Sequence, residues 1–374
     1  MWFFCIFACN NRVYNLSQMN IPECDKGPKS PSVSLQKERQ SNMELLRLLS
    51  ILFVLVIHAD YLSLGVPTGE ELVSSPVSTL LRIGFEQFTI VCVNVFVLIS
   101  GWFGIRFGYR GFLKFIYQIL FSGILVLAFF LCSGEQVSIG IICYTLYAGS
   151  CWWFVVAYMG LYVLDPLLNA FVEYASQKQM RNFLIVFFVW EFFWGWIKDV
   201  AGFQSGYSVL SFIGLYLLAR YVRMYPGHWT GKSSRKHVRW YILTVLISIL
   251  LTVLELVVTN GNSGRFISHD SPLVIFGSLC LLVSFSHLQF QSKLTNSLAA
   301  SSFTIYLLHC HPLTLQYFTN FFGGLYIQYG GALYMLLVPW CLIAIAGICT
   351  LADRVRLFSW NWLWSRLQRF SAIL

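Results

Sequence analysis

The sequence predicts an all-α fold, a polytopic membrane helix bundle with about ten transmembrane helices. Of its 374 residues, 57% are hydrophobic and only 11% are charged, whereas soluble domains have roughly 45–50% apolar and about 25% charged residues. Apolar runs near the roughly 20 residues that a bilayer-spanning helix needs recur along the chain, separated by short polar links. These features exclude a soluble two-domain enzyme.

The apolar runs predict ten spans in chain order. We place them at residues 45–64, 83–103, 114–132, 152–172, 182–199, 207–222, 239–259, 271–287, 298–317 and 331–353. The apolar stretch 137–147, before the fourth span, could be re-entrant. We find no internal repeat and no inverted pair of interrupted helices, the feature expected of many transporters.

The two ends of the chain differ from this apolar region. Residues 2–8 are apolar but too short to span, and no positive residue precedes them, so they make a poor signal peptide. Residues 10–36 are polar and contain three prolines. We therefore expect 1–36 to be a disordered tail, an upstream extension that activity does not need. A transmembrane domain would follow at 37–353, and a basic cytoplasmic tail at 354–374.

The formal net charge of +9 is explained by orientation in the membrane. With the N-terminus in the cytoplasm, all of the 25 Lys and Arg fall on the cytoplasmic side except Arg82, Lys198 and Arg265. This is the bias of the positive-inside rule. An even number of spans then places both termini in the cytoplasm. No basic stripe accompanies a nucleic-acid-binding motif, so we expect no nucleic-acid partner.

Two ionisable residues in the first span, Arg47 and His58, are the leading candidates for function. They are eleven residues apart, which on a helix is three turns plus roughly 20°, with a rise of roughly 16 Å. Both therefore project from nearly the same face, Arg47 near the cytoplasm and His58 beyond mid-bilayer. Ionisable residues inside a membrane often mark functional sites. The structural alternative pairs Arg47 with lipid headgroups or Glu44, and gives His58 an interhelical hydrogen bond.

Several further stretches accompany this pair in order. They are ERQSNMELLR at 38–47, VFVLISG at 95–101 with a basic cluster after it, 153–169 with its Asp-Pro pair, and SSFTIYLLH at 301–309. With this set the chain resembles, over roughly residues 37–350, the membrane acyltransferases of acyltransferase family 3. That family carries an Arg, ten residues and then a His in its first span, which Arg47 and His58 match.

The resemblance implies an O-acyltransferase of a bacterial-type inner (plasma) membrane. It would move an acyl group, with acetyl the leading choice, from cytoplasmic acyl-CoA to a hydroxyl of a surface polysaccharide or lipid-linked sugar. Membrane lipid and glycan-assembly proteins are the other expected partners. Some relatives carry an additional C-terminal hydrolase-like domain. This chain ends about 20 residues after the last predicted span, so onward transfer would need a separate partner or none.

The same resemblance suggests roles for the basic residues and for His58. Arg47, Arg106 and Arg110 would bind the donor's phosphates, because guanidinium groups bind them in bidentate fashion. Many relatives have adjacent basic residues after the second span. Here Arg106, Arg110 and Lys114 are spaced by four, which would align them on one helix face. His58 would act as general base on the acceptor hydroxyl. An acyl-histidine intermediate stays open.

Four other side chains are candidates within the spans. Tyr306 and His309 lie one turn apart and could meet the substrate, orient His58, or be structural. Asn94 could donate a hydrogen bond to the oxyanion. Glu191, deep in the fifth span, is the best carboxylate to orient His58.

Nearby polar residues were weighed and given no such role. Asp60 is two residues from His58, so on a helix it faces elsewhere. Ser100-Gly101 is better explained by close helix packing than by nucleophilic attack. His269 and His311 have no assigned function.

No metal site is predicted. The eleven cysteines show no metal-ligand spacing and fit free thiols in apolar surroundings, while His309 and His311 are only a weak metal signal. Two other functions stay open. One is a transporter or flippase of lipid-linked sugars, and the other is a non-catalytic membrane scaffold that would tolerate loss of Arg47 or His58.

Overall fold

The computed structural model describes residues 39–148, 152–200, 202–259 and 264–371. The predicted disordered tail at 1–36 lies outside these residues. Every regular element of two or more residues within the described ranges is a helix, which confirms the all-α fold.

Fifteen α-helical segments follow one another along the described chain, and the last consists of two helices joined at a kink at Gly330. They are α1 (Ser41–Ile57), α2 (Gly69–Ser74), α3 (Pro76–Thr89), α4 (Cys92–Phe103), α5 (Tyr109–Cys132), α6 (Ile139–Ala148), α7 (Trp153–Val163), α8 (Asp165–Tyr174), α9 (Gln177–Trp190), α10 (Val209–Met224), α11 (Ser234–Thr259), α12 (Pro272–Ser286), α13 (Lys293–Ala299), α14 (Ser302–His309) and α15 (Pro312–Ser371). Single π-helical turns extend α1 at His58–Leu62 and α9 at Glu191–Ile197, and 3₁₀ turns lie at Gln204–Gly206 and Arg265–Ile267.

Seven helical stretches of the described residues are long and apolar enough to cross a membrane. They are Ser41–Leu62, Pro76–Phe103, Tyr109–Cys132, Gln177–Ile197, Ser234–Thr259, Arg265–Ser286 and Leu333–Arg369. An eighth results if α7 and α8, which meet at a bend of 52°, form one broken span. The chain is thus a multi-pass membrane protein, and the count of ten stays a prediction.

The other two predicted spans do not correspond to a single long helix in the structure. The predicted span at 207–222 corresponds to α10, which has only 16 residues. The predicted span at 298–317 is divided among α13, α14 and the start of α15. The apolar stretch before the fourth predicted span forms α6, whose 10 residues are about half of what a crossing needs.

The last helix continues beyond the predicted domain boundary. Residues 354–371, expected as a basic tail, are helical and belong to α15. Arg356 on this stretch is buried, and its Nε donates to Asp353 Oδ1 at 2.6 Å. The same carboxylate accepts hydrogen bonds from Ser301, which precedes α14, and from Thr304 within α14. These bonds attach this part of α15 to the start of α14.

Close packing between α4 and α10 depends on Gly101. A Cβ added at Gly101 would lie 2.4 Å from the backbone oxygen of Tyr216, so a larger residue would push the two helices apart. This agrees with the packing role expected for Ser100-Gly101. The helix α4 also packs against α1.

The link between α4 and α5 is not helical. Gly104 ends α4 with φ 77°, a conformation that favours glycine. Asp165 accepts a hydrogen bond from the Phe107 backbone at 2.5 Å, and Asn169 donates to the Ile105 carbonyl at 2.8 Å. Because α5 starts only at Tyr109, Arg106 lies outside it. The expectation that Arg106, Arg110 and Lys114 share one helix face is therefore wrong.

Candidate active site in a membrane cavity

Arg47 and His58 line one cavity of about 630 Å³ in the bundle. The volume falls within the roughly 300–1,000 Å³ of typical ligand sites. Both residues belong to one uninterrupted helical stretch, 41–62, which contains no Gly or Pro. The structure thus confirms that they share a face of the first span.

His58 begins the π-helical turn that follows α1. Such turns replace the regular hydrogen-bond pattern and are frequent at functional sites. The Ser63 hydroxyl donates a hydrogen bond of 2.9 Å to the His58 carbonyl. The ring of His58 is half-buried and faces the cavity.

His309 holds the ring of His58. His58 Nδ1 lies 3.0 Å from His309 Nε2, and His309 Nδ1 lies 2.6 Å from the Ile305 carbonyl oxygen. A carbonyl only accepts, so His309 Nδ1 carries a proton and, in the neutral ring, Nε2 is an acceptor. His58 therefore donates from Nδ1, which leaves its Nε2 as the basic nitrogen. No hydrogen-bond partner of this Nε2 occurs within the described part of the chain.

This chain from backbone carbonyl to His309 to His58 fixes both tautomers. It does what a carboxylate does for a catalytic histidine, although a neutral imidazole stabilises the protonated ring less than a full negative charge. His309 therefore lies where it can orient His58, which is one of the roles that the sequence left open for it. Tyr306, one turn earlier, lines the cavity, and its ring lies edge-on to His309 at 6.2 Å.

Cys310 is a third member of this cluster that the sequence analysis missed. Its Sγ lies 3.3 Å from both His58 Nδ1 and His309 Nε2, and it is a free thiol. His311, by contrast, points away: its ring contacts Trp152 and its Nε2 lies near the Thr145 carbonyl. The thiol could not be identified from sequence, because only the break between α14 and α15 turns Cys310 toward His58.

Basic residues surround the end of the cavity at the start of α1. Arg39 and Arg47 line the cavity there. Arg47 also pairs with Glu44 at 2.7 Å, so the structural alternative for Arg47 and its place in the cavity are both present. Lys114 on α5 lies within electrostatic reach of Arg39, Arg110 and Arg356. We call Arg39 and Arg47, which both line the cavity, the basic end.

The two other predicted phosphate ligands lie outside the cavity lining. Arg106 is exposed on the link before α5. Arg110 is exposed and its guanidinium lies over the Trp364 ring, 5.2 Å from the centroid. Arg39 was not identified as a candidate because it precedes the first apolar run.

Aromatic residues and a histidine line the other end of the cavity. His269 lies with its ring 4.8 Å from that of Tyr207 and 6.1 Å from that of Trp153, and all three line the cavity. α12 starts just after His269 and ends beside the first turn of α1, where Asn42 donates to the Phe285 carbonyl at 3.0 Å. The aromatic end, defined as Trp153, Tyr207 and His269, is therefore remote from the basic end.

Asn94 and Glu191 do not join His58. Asn94 is buried and donates its amide to the His269 backbone carbonyl at 2.8 Å, so it supports the aromatic end. Glu191 is buried in the second π turn, where it bonds to Ser211 beside Asp270. Neither lines the cavity. The position expected for Glu191, beside His58, is occupied by His309.

A buried ion-pair cluster lies two residues beyond His58. Arg82 donates from Nε to Asp60 at 2.8 Å, from Nη1 to Glu71 at 3.2 Å and from Nη2 to the Gly65 carbonyl at 2.5 Å. Glu86 is buried in the same place. Asp60 thus faces away from His58, as its spacing predicted. Arg82 has a structural role, since its guanidinium holds this cluster together.

Comparison with known proteins decides the family. A family model described as an acyltransferase domain, that of acyltransferase family 3, matches residues 40–353. The chain belongs to acyltransferase family 3. No curated protein and no solved structure matches it. The matched segment includes Arg47, His58 and every other residue that lines the cavity except Arg39.

Proposed function

We propose that this membrane acyltransferase transfers an acetyl group from cytoplasmic acetyl-CoA to a hydroxyl of a surface polysaccharide or lipid-linked sugar, at the inner membrane. The observation that carries the proposal is a single cavity that joins a basic end to the free Nε2 of His58. Acyl transfer from CoA to a hydroxyl needs both features, a site for phosphates and a base for the hydroxyl proton.

The basic end fits the phosphates of the donor. Arg39 and Arg47 present guanidinium groups, which bind phosphate oxygens in charge-assisted pairs. Along the helical stretch Ser41–Leu62, Arg47 and His58 are separated by a rise of roughly 16 Å. The pantetheine arm would lie along this length, with its thioester beside His58. Under the predicted topology the basic end faces the cytoplasm, where acetyl-CoA is available.

His58 is suited to general-base catalysis in the tautomer that its contact with His309 indicates. Its Nε2 would take the acceptor's hydroxyl proton while the hydroxyl oxygen attacks the thioester carbonyl. His309 accepts from His58 Nδ1 at 3.0 Å and would stabilise the imidazolium formed. The same proton would then pass to the departing CoA sulfur. Proton transfer of this kind contributes roughly 10²–10⁴-fold to rate.

The aromatic end fits a sugar acceptor. Trp153, Tyr207 and His269 line this end of the cavity, and aromatic side chains of this kind would pack against the apolar faces of a pyranose. Because the donor and acceptor ends lie on different sides of His58, both substrates can occupy the cavity together. We therefore propose direct transfer within a ternary complex, without an acyl-histidine intermediate.

The test is transfer of label from radiolabelled acetyl-CoA in inverted membrane vesicles. Wild type should transfer label into a glycan fraction, and His58→Ala should lose it. Exposed His287 provides the matched control, since His287→Ala should transfer as wild type does. Right-side-out vesicles should need permeabilisation before they respond to acetyl-CoA.

Three results would overturn parts of the proposal. Equal transfer by His58→Ala would remove His58 from the mechanism. Label that accumulates on the protein without acceptor and then moves on would replace direct transfer by a covalent intermediate. Inserted wild type that moves unmodified lipid-linked sugar and transfers no acetyl group would favour the flippase.

A further inference from the structure

Three potential metal ligands meet beside the cavity. The groups are His58 Nδ1, His309 Nε2 and Cys310 Sγ, and all three atoms lie within 4.8 Å of one another. The nitrogen atoms are 3.0 Å apart, and the sulfur lies 3.3 Å from each of them. These atoms form a compact triangle, and His309 and Cys310 are buried.

The triangle has nearly the dimensions of one face of a tetrahedral zinc site. With Zn–N near 2.05 Å and Zn–S near 2.3 Å, ligand atoms lie about 3.3 Å apart for two nitrogens and about 3.5 Å apart for nitrogen and sulfur. The observed separations are smaller by only about 0.2–0.3 Å. Small rotations of the side chains would therefore admit the ion without moving a helix.

His309 is already oriented as metal-bound histidines are. A ligating histidine almost always donates its second ring N–H to a carbonyl or carboxylate, which fixes the ligand tautomer. His309 makes this bond from Nδ1 to the Ile305 carbonyl at 2.6 Å, with its Nε2 directed at the other two groups. His58 and Cys310 both line the cavity, so a fourth position would be open to a water or a substrate atom.

We infer that His58, His309 and Cys310 form a binding site for Zn²⁺, and that the bound ion blocks the acyltransferase. One thiolate and two imidazoles suit zinc, whereas Mg²⁺ and Ca²⁺ prefer oxygen ligands. The sequence predicted no metal site, because His309 has only His311 as a potential ligand at close spacing in the chain, whereas His58 and Cys310 join it only in the folded structure. Tertiary structure brings together residues that are about 250 positions apart in the chain.

The proton balance explains the block. Zn²⁺ binds Cys310 as a thiolate, so one proton is released to solvent. It binds His58 through Nδ1, whose proton must move to Nε2 for the ring to remain neutral. Nε2 then carries a proton and cannot accept one from the acceptor hydroxyl. The block rests on the proposed function of His58, whereas binding of the ion rests on the triangle alone.

The binding test uses Co²⁺ as a spectroscopic probe on the purified full chain, freed of metal with a chelator. Wild type should bind one Co²⁺ with a thiolate-to-cobalt charge-transfer band and the visible bands of tetrahedral Co²⁺, and Zn²⁺ should displace it. Cys310→Ser should lose the charge-transfer band and bind Zn²⁺ at least about 100-fold more weakly. Cys280→Ser is the matched control, a buried free thiol elsewhere that should leave the band intact.

A second measurement needs no variant. Zn²⁺ should protect Cys310 of wild type from alkylation, read by mass spectrometry of its peptide, and a chelator should reverse the protection. Absence of the band in wild type, its persistence in Cys310→Ser, or alkylation unaffected by Zn²⁺ would overturn the site.

The inhibition is tested separately in the vesicle assay. Zn²⁺ should lower acetyl transfer by wild type and a chelator should restore it. A spectroscopically occupied site with unchanged transfer would overturn the block. Failure of the proposed function would look different, since metal-free wild type would then transfer no label while the cobalt spectrum remained.

Discussion

The His58–His309 pair and the Arg82 cluster are two polar centres in neighbouring turns. They differ in burial, in access to the cavity and in the charge of their bonding partners. His58 is half-buried, lines a cavity and is held by an uncharged imidazole. Arg82 is 1% exposed and its guanidinium is bonded to Asp60, Glu71 and a backbone carbonyl. Asp60 is only two positions after His58 in the chain, yet the π turn places one side chain toward the cavity and the other toward protein.

The comparison shows that intramembrane polar residues have two distinct uses. A charge that is fully bonded inside a bundle connects elements, here α3 with the turns after α1, and removing one partner leaves an uncompensated charge. A residue with one nitrogen bonded and the other free to the cavity can exchange protons with a substrate. Depth in the membrane does not separate the two cases, whereas access to the cavity does, since His58 lines it and Arg82 does not.

The largest expected effect is on catalysis at His58. His58→Gln should reduce the transfer rate by roughly 10²–10⁴-fold, because a general base is lost. The thermal midpoint in detergent should stay near that of wild type, since no ion pair is broken. The transfer rate and the thermal midpoint should be measured on the same preparation. If both fell together, His58 would have a structural role as Arg82 does, and the contrast between the two centres would fail.

Arg82→Met should instead act on stability. Loss of the guanidinium leaves Asp60 buried and unpaired, which costs roughly 3–5 kcal/mol. We expect a large drop in the unfolding midpoint and in the yield of folded protein. Arg181, exposed on α9, supplies the control Arg181→Met. A stable but inactive Arg82→Met would mean that the cluster takes part in catalysis.

His309 should have an intermediate effect. His309→Ala removes the acceptor of His58 Nδ1, and we expect kcat to fall roughly 10- to 100-fold with little change in KM. His309→Gln offers a carbonyl to the same N–H and should recover part of the rate. His311→Gln, at the adjacent histidine that faces away, is the matched control. A purely structural His309 would lower kcat equally in the Ala and Gln variants.

Arg47 should affect the donor alone. Arg47→Ala should raise KM for acetyl-CoA by roughly 10- to 150-fold, since a charge-assisted hydrogen bond contributes about 1.5–3 kcal/mol. Arg106→Ala, whose side chain is exposed outside the cavity, should leave this KM unchanged. Titration of acetyl-CoA at fixed acceptor measures both, and the reverse ranking would restore the sequence-based assignment of Arg106.

Glu191 should show the smallest effect. Glu191→Gln keeps the shape and the hydrogen-bonding capacity of a side chain that lies outside the cavity lining. Transfer should change by less than about threefold, the size of effects that arise without direct contact. A loss comparable to that of His309→Ala would indicate that Glu191 does orient His58.

The local pattern of the sequence predicted what depends on neighbouring residues. Helical phase placed Arg47 and His58 on one face, and the two-residue offset turned Asp60 away from His58. Hydropathy predicted a multi-pass helical protein, and the ordered motifs indicated the family. The places where it failed are breaks in helices. The link before α5 removed Arg106 from the helix, and the division of 298–317 into pieces turned Cys310 toward His58.

By itself, then, the sequence determined the membrane fold class, the family and the shared helix face of Arg47 and His58, because periodicity and apolar length act over a few helical turns. Only the tertiary structure shows which side chain lies in position to orient His58, and this is His309 and not Glu191. It also chose Arg39 over Arg106 for the basic end, and added His269 and Cys310. Partners from distant helices are set by how the helices pack against one another, and that packing depends on bends, glycine contacts and helix ends that no single stretch of the chain encodes.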